Sequence, residues 1–406
     1  MKKQPENWIH GMSMELKEKK KLNKILHGDS LELLKSLDDN SVDNIVTDPP
    51  YGYSFMGKDW DKAVPSVELW KECLRVLQPG GFAFIMSAPR SDVHSEMVKR
   101  LEQAGFRVDF TPIYWTYATG FPKASNIRKM VDKRGEDGEK LDGSYGGFQP
   151  KPAVEVIIVV MKSLTEKTYV DQAMKNGKGV TWLDNVRIPF KSDDVLNNIK
   201  TTKRKPRPAD STWSNSGFKS EANDTAEANP QGRFPANLLV QDDVLNDGKL
   251  HEGKVGFKAT ASSIYVNKNC TKKTTDSGKA EFGTFSRYYD LDAWWAERIK
   301  ELPLNVQTTY PFMIVPKASK SEKNKGLDKN FHPTVKPISL MSYLVTLGSR
   351  EGELVLDPFV GSGTTCIAAK LLNRNYIGME MNDEYVVIAE ERIKSYKPEK
   401  KEHGFF

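Results

Sequence analysis

The chain has 406 residues, with 60 Lys and Arg against 54 Asp and Glu, a formal net charge of +6 and a pI near 8.8. This length predicts a catalytic core with an inserted or appended module, and the modest basic excess admits a polyanionic partner without demanding one. Cys73, Cys270 and Cys366 lie far apart with no CxxC pair, which excludes a disulfide framework or a zinc ribbon, so no metal and a reducing, cytoplasmic setting are expected. Residues 1–24 are lysine-rich without a signal-peptide apolar run, and no segment approaches the ~18 apolar residues of a membrane span, which predicts a soluble protein.

From Lys24 the chain reads as strand and helix in alternation. Ile25-Leu26-His27 forms a short strand, Gly28-Asp29 ends it, and Ser30 is read as the N-cap of a helix with apolar Leu31, Leu33, Leu34 and Leu37. Val42 to Thr47 is the next strand. It runs into Asp48-Pro49-Pro50-Tyr51, where the prolines cannot continue a ladder and the chain must leave the sheet. A helix follows over Val67 to Leu77, stopped by Pro79-Gly80-Gly81, then a strand Phe82 to Ser87, a helix Asp92 to Ala104 and a strand Phe106 to Trp115. A glycine-rich loop, Gly135 to Pro152, precedes the β-branched run Val154 to Met161, read as a buried strand. The alternation predicts a mostly parallel sheet covered by helices.

Past Lys162 the pattern is lost in a polar stretch to about Tyr310, which carries the basic run Lys203-Arg204-Lys205-Pro206-Arg207-Pro208 with Trp182, Trp213 and Phe218 nearby. Regularity returns with a helix Ile338 to Leu347, a strand Leu354 to Leu356, the turn Asp357 to Gly363, a helix Thr364 to Leu372, a strand Tyr376 to Met381 and a closing helix Asp383 to Ser395.

Two strand ends carry chemistry. At the first, an exocyclic aromatic amine has its lone pair delocalised into the ring, so a nucleophilic nitrogen needs acceptors that draw its hydrogens. The Asp48 carboxylate supplies one and a backbone carbonyl in the turn, that of Pro49, a second. Pro49 and Pro50 fix the backbone beforehand, and Tyr51 offers a face on which an extruded base can stack. At the second, Asp357-Pro358-Phe359-Val360-Gly361-Ser362-Gly363-Thr364-Thr365 is a strand, a glycine turn and a helix start, a geometry that aims N–H groups at a carboxylate. It lacks the third glycine of a dinucleotide fingerprint and the lysine of a phosphate loop. Glu380, at the end of the following strand, is placed to bind ribose hydroxyls.

DPPY, a distant DPFxGSGT and the intervening His332-Pro333-Thr334-Val335-Lys336-Pro337 together resemble the beta-class amino-methyltransferases of DNA, the adenine-N6/cytosine-N4 methylase family. The resemblance covers residues 24–162 and 310–394 well and the middle third less specifically. It implies an α/β, circularly permuted Rossmann-like fold that uses S-adenosylmethionine, with the catalytic half first. It also implies Asp29 near the cofactor adenine, Thr334 and Lys336 at its methionine end, and Asp357, Pro358, Phe359, Gly361, Gly363, Thr364 and Glu380 around the rest. The expected division is a leader (1–23), a catalytic half (24–162), a target-recognition insert (163–310), a cofactor half (311–396) and a tail (397–406).

The partner so implied is double-stranded DNA, with Lys203, Arg204, Lys205 and Arg207 as phosphate contacts; a homodimer and a cognate restriction enzyme are compatible with it. The expected reaction is methylation of adenine N6 by base flipping. Cytosine N4 is the alternative, and RNA or protein methylation or a catalytically silent DNA-binding module are more distant ones. A cytosine-C5 mechanism is set aside because the proline turn holds no cysteine. The loop Thr119 to Asn126 follows a strand at the same edge, and the aromatic cluster Arg287 to Trp295 reads as core packing.

Overall fold

The computed structural model describes residues 22–52, 63–117, 124–148, 150, 153–190, 229, 231–240, 251–253, 281–283, 289–302 and 335–396. Its strands are β1 (Lys24–His27), β2 (Val42–Thr47), β3 (Leu77–Ser87), β4 (Ile113–Thr116), β5 (Val154–Met161), β6 (Leu238–Val240), β7 (His251–Gly253), β8 (Glu281–Gly283), β9 (Leu354–Asp357) and β10 (Asn375–Glu380). Its helices are α1 (Ser30–Leu34), α2 (Val67–Val76), α3 (Ser91–Ala104), α4 (Ile127–Asp132), α5 (Tyr169–Asn176), α6 (Leu291–Ile299), α7 (Ile338–Gly348), α8 (Thr364–Leu371) and α9 (Asp383–Ser395).

Eight strands form one sheet in the order β1-β10-β9-β2-β3-β5-β4-β6, while β7 and β8 make a separate antiparallel pair. β1, β10, β9, β2 and β3 are parallel; β5 runs antiparallel to both β3 and β4, and β6 joins β4 in parallel. The central neighbours β9 and β2 come from opposite ends of the described chain, with Asn44 opposite Val355 and Ile45 opposite Leu356. This is a circularly permuted Rossmann-like sheet. From β9 the chain proceeds outward to β10 and from β2 outward to β3, so the crevice between their carboxyl ends is a topological switch point, where open α/β sheets bind ligands.

Alternating side chains explain why both faces are covered. Val46, Phe84, Ile157, Val159 and Val355 belong to a core closed by α6, α7 and α8. Their neighbours Ile45, Ile85, Ile158, Val160 and Leu356 belong to a second core closed by α1, α2 and α3. A strand buried on both faces needs apolar residues at consecutive positions, which is the pattern of β5. α7 is buried along its whole length, which accounts for its nearly unbroken apolar sequence.

Four local expectations are corrected. Asp29, not Ser30, caps α1: its Oδ1 accepts from the N–H groups of Leu31 and Glu32, leaving the Ser30 hydroxyl to donate to the Pro358 carbonyl at 2.5 Å. Pro79-Gly80-Gly81 does not separate α2 from a strand, because β3 already starts at Leu77. Leu77 pairs with Val42 and Phe82 with Asn44, so the intervening residues bulge. Gly80 there accepts the Gly179 N–H at 2.8 Å, and a Cβ on it would lie 2.7 Å from the Gly179 nitrogen. The strand expected over Phe106 to Trp115 is reduced to an isolated bridge at Arg107 and the short β4, since Pro112 has no N–H to offer a ladder. β6, unread in the polar middle stretch, extends the main sheet.

Within the span 163–310, Val186, Ile188, Leu239 and Leu291 are buried in the core closed by α6, α7 and α8. Trp294 and Trp295 of α6 are buried, as the aromatic cluster suggested, and Trp294 Nε1 donates to the Asn185 carbonyl. The Arg350 guanidinium sits 3.5 Å from the centre of the Trp182 ring, a cation–π contact just past the end of α7. Among the described residues no helix is long and apolar enough to cross a membrane.

Candidate active site

Parallel strands place their carboxyl ends at one edge of the sheet, so β2, β9 and β10 bring Asp48, Asp357 and Glu380 to that edge. β5 runs the other way and therefore contributes its beginning, Val154-Glu155, beside the end of β4. Four separate segments thus converge.

The Asp48 carboxylate is bound on both oxygens. Oδ1 accepts from the Tyr51 hydroxyl at 2.6 Å, and Oδ2 meets Lys336 Nζ at 2.5 Å. Lys336, on the segment leading into α7, is 11 % exposed, and its Nζ lies 5.7 Å from the Tyr51 ring centre and 3.4 Å from Glu155 Oε2. Burial works to deprotonate this amine, but Asp48 and Glu155 outweigh it and push its pKa up to about 12. Tyr51 is likewise held well above the usual phenol range, by burial first and then by the two carboxylates, so it acts as a donor. Tyr117, at the end of β4, donates to Glu155 Oε1 at 3.3 Å. Pro49 is buried and Pro50 half-buried in the turn.

The second turn is built around Asp357, which is buried. Its Oδ1 accepts from the Thr47 hydroxyl at 2.6 Å and from the Phe359 N–H at 3.0 Å, and its Oδ2 from the Thr365 hydroxyl at 2.6 Å. Burial raises its pKa to about 6 despite these three donors. Thr47 immediately precedes Asp48, so one hydrogen bond ties the two turns together. Glu380 accepts from the Gly361 N–H at 3.0 Å and the Asn382 N–H at 2.9 Å, and burial raises its pKa. Phe359 packs edge-on against Trp70, 6.4 Å between ring centres. The fully buried Arg392 of α9 donates to the Ser362 carbonyl and hydroxyl and to Thr364 Oγ1, bracing the glycine turn from behind.

Gly363 has φ +85°, and a Cβ on it would lie 3.1 Å from Ala389 Cβ, so the turn needs glycine for its backbone angle and its packing. α8 begins directly after it without a side-chain cap, leaving its first N–H groups aimed out of the helix end. A backbone cradle, open helix N–H groups and an acid at the next strand end suit an amino-acid carboxylate and a ribose.

Of the residues singled out from sequence, the structure gathers Asp48, Pro49, Pro50, Tyr51, Lys336, Asp357, Pro358, Phe359, Gly361, Gly363, Thr364 and Glu380 at this edge. Asp29 stands at the end of β1 beside it, as the α1 cap. Thr334, His332, Lys203, Arg204, Lys205, Arg207, Trp213, Phe218 and residues 119–123 lie outside the described residues. Sequence reading missed Glu155, Tyr117, Thr47 and Arg392. Glu155 gave one signal, a charged residue in an otherwise apolar strand. Cys73 is buried in α2 with its thiol pKa pushed up by burial, away from any nucleophile's role. Among the described residues no cluster of three or more His, Cys, Asp or Glu could hold a metal.

This sheet order, with its paired strand-end turns, defines a permuted Rossmann-like methyltransferase core. The chain belongs to the N6/N4 DNA methylase family, whose profile, described as DNA methylase, matches residues 42–391. It is 46% identical over 70 residues to the Type II methyltransferase M.HinfI of Haemophilus influenzae, a match covering 17% of this chain and 20% of that one. To the Type II methyltransferase M2.MboI of Moraxella bovis it is 40% identical over 84 residues, 21% of this chain and 29% of that one. The matched segments therefore span less than a third of these relatives. The solved PvuII DNA methyltransferase, cytosine-N4-specific, is 16% identical with a TM-score of 0.43, covering 91% of this chain and 85% of that one.

Proposed function

We propose that the protein is an S-adenosylmethionine-dependent DNA methyltransferase that methylates adenine N6 in double-stranded DNA by base flipping. The observation that carries this reading is the Thr47–Asp357 hydrogen bond, which fixes an amine-accepting turn beside a cofactor-type turn at the switch point. Family membership supports the same reaction class. S-adenosylmethionine supplies an electrophilic methyl group on a positively charged sulfur. The Gly361–Gly363 turn and the start of α8 would hold its carboxylate, with Lys336 beside them, and Glu380 would hold its ribose.

Asp48 accepts a hydrogen of the target amine and so concentrates the lone pair on nitrogen, while Tyr51 stacks on the extruded base. Nitrogen forms its new bond to carbon as the carbon–sulfur bond breaks, and the excess proton leaves the nitrogen afterwards, with Asp48 as the nearest acceptor. No covalent enzyme intermediate is required. The chain's contribution is orientation, with reacting atoms about 3–3.5 Å apart, and acceptors for the charge that develops on nitrogen.

Asp at the first position of the turn inclines the reading to adenine; the same turn can present cytosine N4. The region 163–310 serves as target-recognition insert in this reading, with its basic run against phosphate. A homodimer and a cognate restriction enzyme belong to the same picture, and sedimentation of the purified protein tests the first. Mass spectrometry of nucleosides from DNA treated with protein and labelled S-adenosylmethionine decides the base: N6-methyladenine is expected, and N4-methylcytosine would keep the mechanism while reversing the target.

A further inference from the structure

We propose that Glu155 is a positioning residue of the methyl-transfer site, the counter-anion that draws Lys336 and Tyr51 from Asp48 so that its carboxylate is open to the target amine. The inference rests on the reading of Asp48 as the amine acceptor.

Both oxygens of Asp48 are engaged by donors, Tyr51 on one and Lys336 on the other. A carboxylate that carries two donors, one of them a cation, is a weaker acceptor for an incoming N–H, because each donor fills one of its about four lone-pair sites and withdraws charge. Glu155 faces the same two donors: its Oε2 lies 3.4 Å from Lys336 Nζ and 3.4 Å from the Tyr51 hydroxyl. Those distances exceed the ~2.7–2.9 Å of a charge-assisted hydrogen bond, so a displacement of under ~1 Å moves either donor across. Lysine has the flexible stem for that movement.

Glu155 is itself aimed by Tyr117, which donates to its other oxygen, and by β5, whose reversed direction alone brings this residue to the site. Lys336, Glu155 and Asp48 are 11 %, 17 % and 20 % exposed, so their mutual charges are only partly screened by water. The group comprises two carboxylates against one ammonium, with the Tyr51 and Tyr117 hydroxyls. Its single excess negative charge suits a site that must hold a sulfonium and then a nitrogen gaining positive charge.

Glu155→Gln keeps the shape and removes the charge. Single-turnover methyl transfer and the KM for S-adenosylmethionine are to be measured at pH 7.5 for the natural protein, Glu155→Gln, Glu155→Asp, Lys336→Met and the double variant, with thermal melts of each. Glu155→Gln is expected to slow transfer at pH 7.5 by about ten- to a hundredfold, with the KM for S-adenosylmethionine changed less than about threefold. In the Lys336→Met background the further loss should shrink to about threefold or less, since only the Tyr51 contact of Glu155 then remains. Glu155→Asp, which keeps the charge, should recover part of the rate.

A natural rate in Glu155→Gln, multiplying losses in the double variant, or no recovery in Glu155→Asp overturns the proposal. Should Glu155→Gln not fold, Glu155→Asp decides alone: a loss of rate that multiplies in full with that of Lys336→Met overturns it. An inactive Asp48→Ala beside an unaffected Glu155→Gln refutes only this inference. An Asp48→Ala that methylates at the natural rate removes the underlying reading instead.

Discussion

Thr47→Val removes one hydroxyl at nearly constant volume and cuts the hydrogen bond that joins the two turns. At pH 8 Asp357 is ionised, and losing a donor at 2.6 Å from a buried carboxylate costs about 1.5–3 kcal/mol. At pH 5 the carboxyl, whose pKa is raised to about 6, is mostly protonated, and the lost bond is between neutral groups, worth about 0.5–1.5 kcal/mol. The sign follows from linkage. A carboxyl with a folded-state pKa above its unfolded value binds its proton more tightly when folded, so its contribution to stability falls as pH rises from about 4 to about 6. Removing a donor raises that pKa further, by about one unit for each 1.4 kcal/mol, and deepens the fall. Denaturant unfolding of the natural protein and the variant at both pH values measures this; other titrating groups largely cancel in the difference. The destabilisation should be about 1–1.5 kcal/mol larger at pH 8 than at pH 5, and Thr47→Ser should restore most of it at both. Equal destabilisation at the two pH values would refute the account of Asp357 as a buried anion held by its donors.

Arg392→Met leaves the Ser362 carbonyl without its buried donor, and the braced turn should loosen. The expected result is a loss of about 1–3 kcal/mol in unfolding free energy, with calorimetric titration showing roughly tenfold weaker S-adenosylmethionine binding. Gly363→Ala meets both a left-handed φ and Ala389, so it should cost more than about 1–2 kcal/mol and weaken the same binding. Gly135→Ala has a comparable φ of +78° but nothing within 4 Å of the added methyl, and should show the strain in a thermal melt while leaving cofactor binding intact.

What the sequence made legible is what it encodes locally. Asp48 to Tyr51 and Asp357 to Thr365 each combine a strand, a turn and a chain exit within about a dozen residues, and prolines and glycines mark them. Glu155 is a different case. Its partners Tyr51, Tyr117 and Lys336 come from three other segments, and only the reversal of β5 brings it among them, a fact that no pattern within Val154 to Met161 contains. Thr47 and Arg392 are similar: a threonine in a strand and an arginine in a helix acquire their roles from a neighbour more than 25 positions away. Pro79-Gly80 misled because its turn chemistry serves a bulge inside β3 and close contact with Gly179 rather than a break between elements. β6 escaped notice because three apolar residues in a polar stretch gain significance only beside β4.

The central claim is that Asp48 serves the transfer step while a separate turn holds the methyl donor. Its most direct test is transfer of labelled methyl from S-adenosylmethionine to double-stranded DNA by the natural protein and by Asp48→Ala, with cofactor binding measured on the same preparations. The account predicts that the natural protein transfers methyl to a base amine, and that Asp48→Ala binds the cofactor within about threefold yet transfers at least about a thousandfold more slowly. Transfer by Asp48→Ala at the natural rate, or a natural protein that binds the cofactor and methylates no DNA of any sequence, would contradict it.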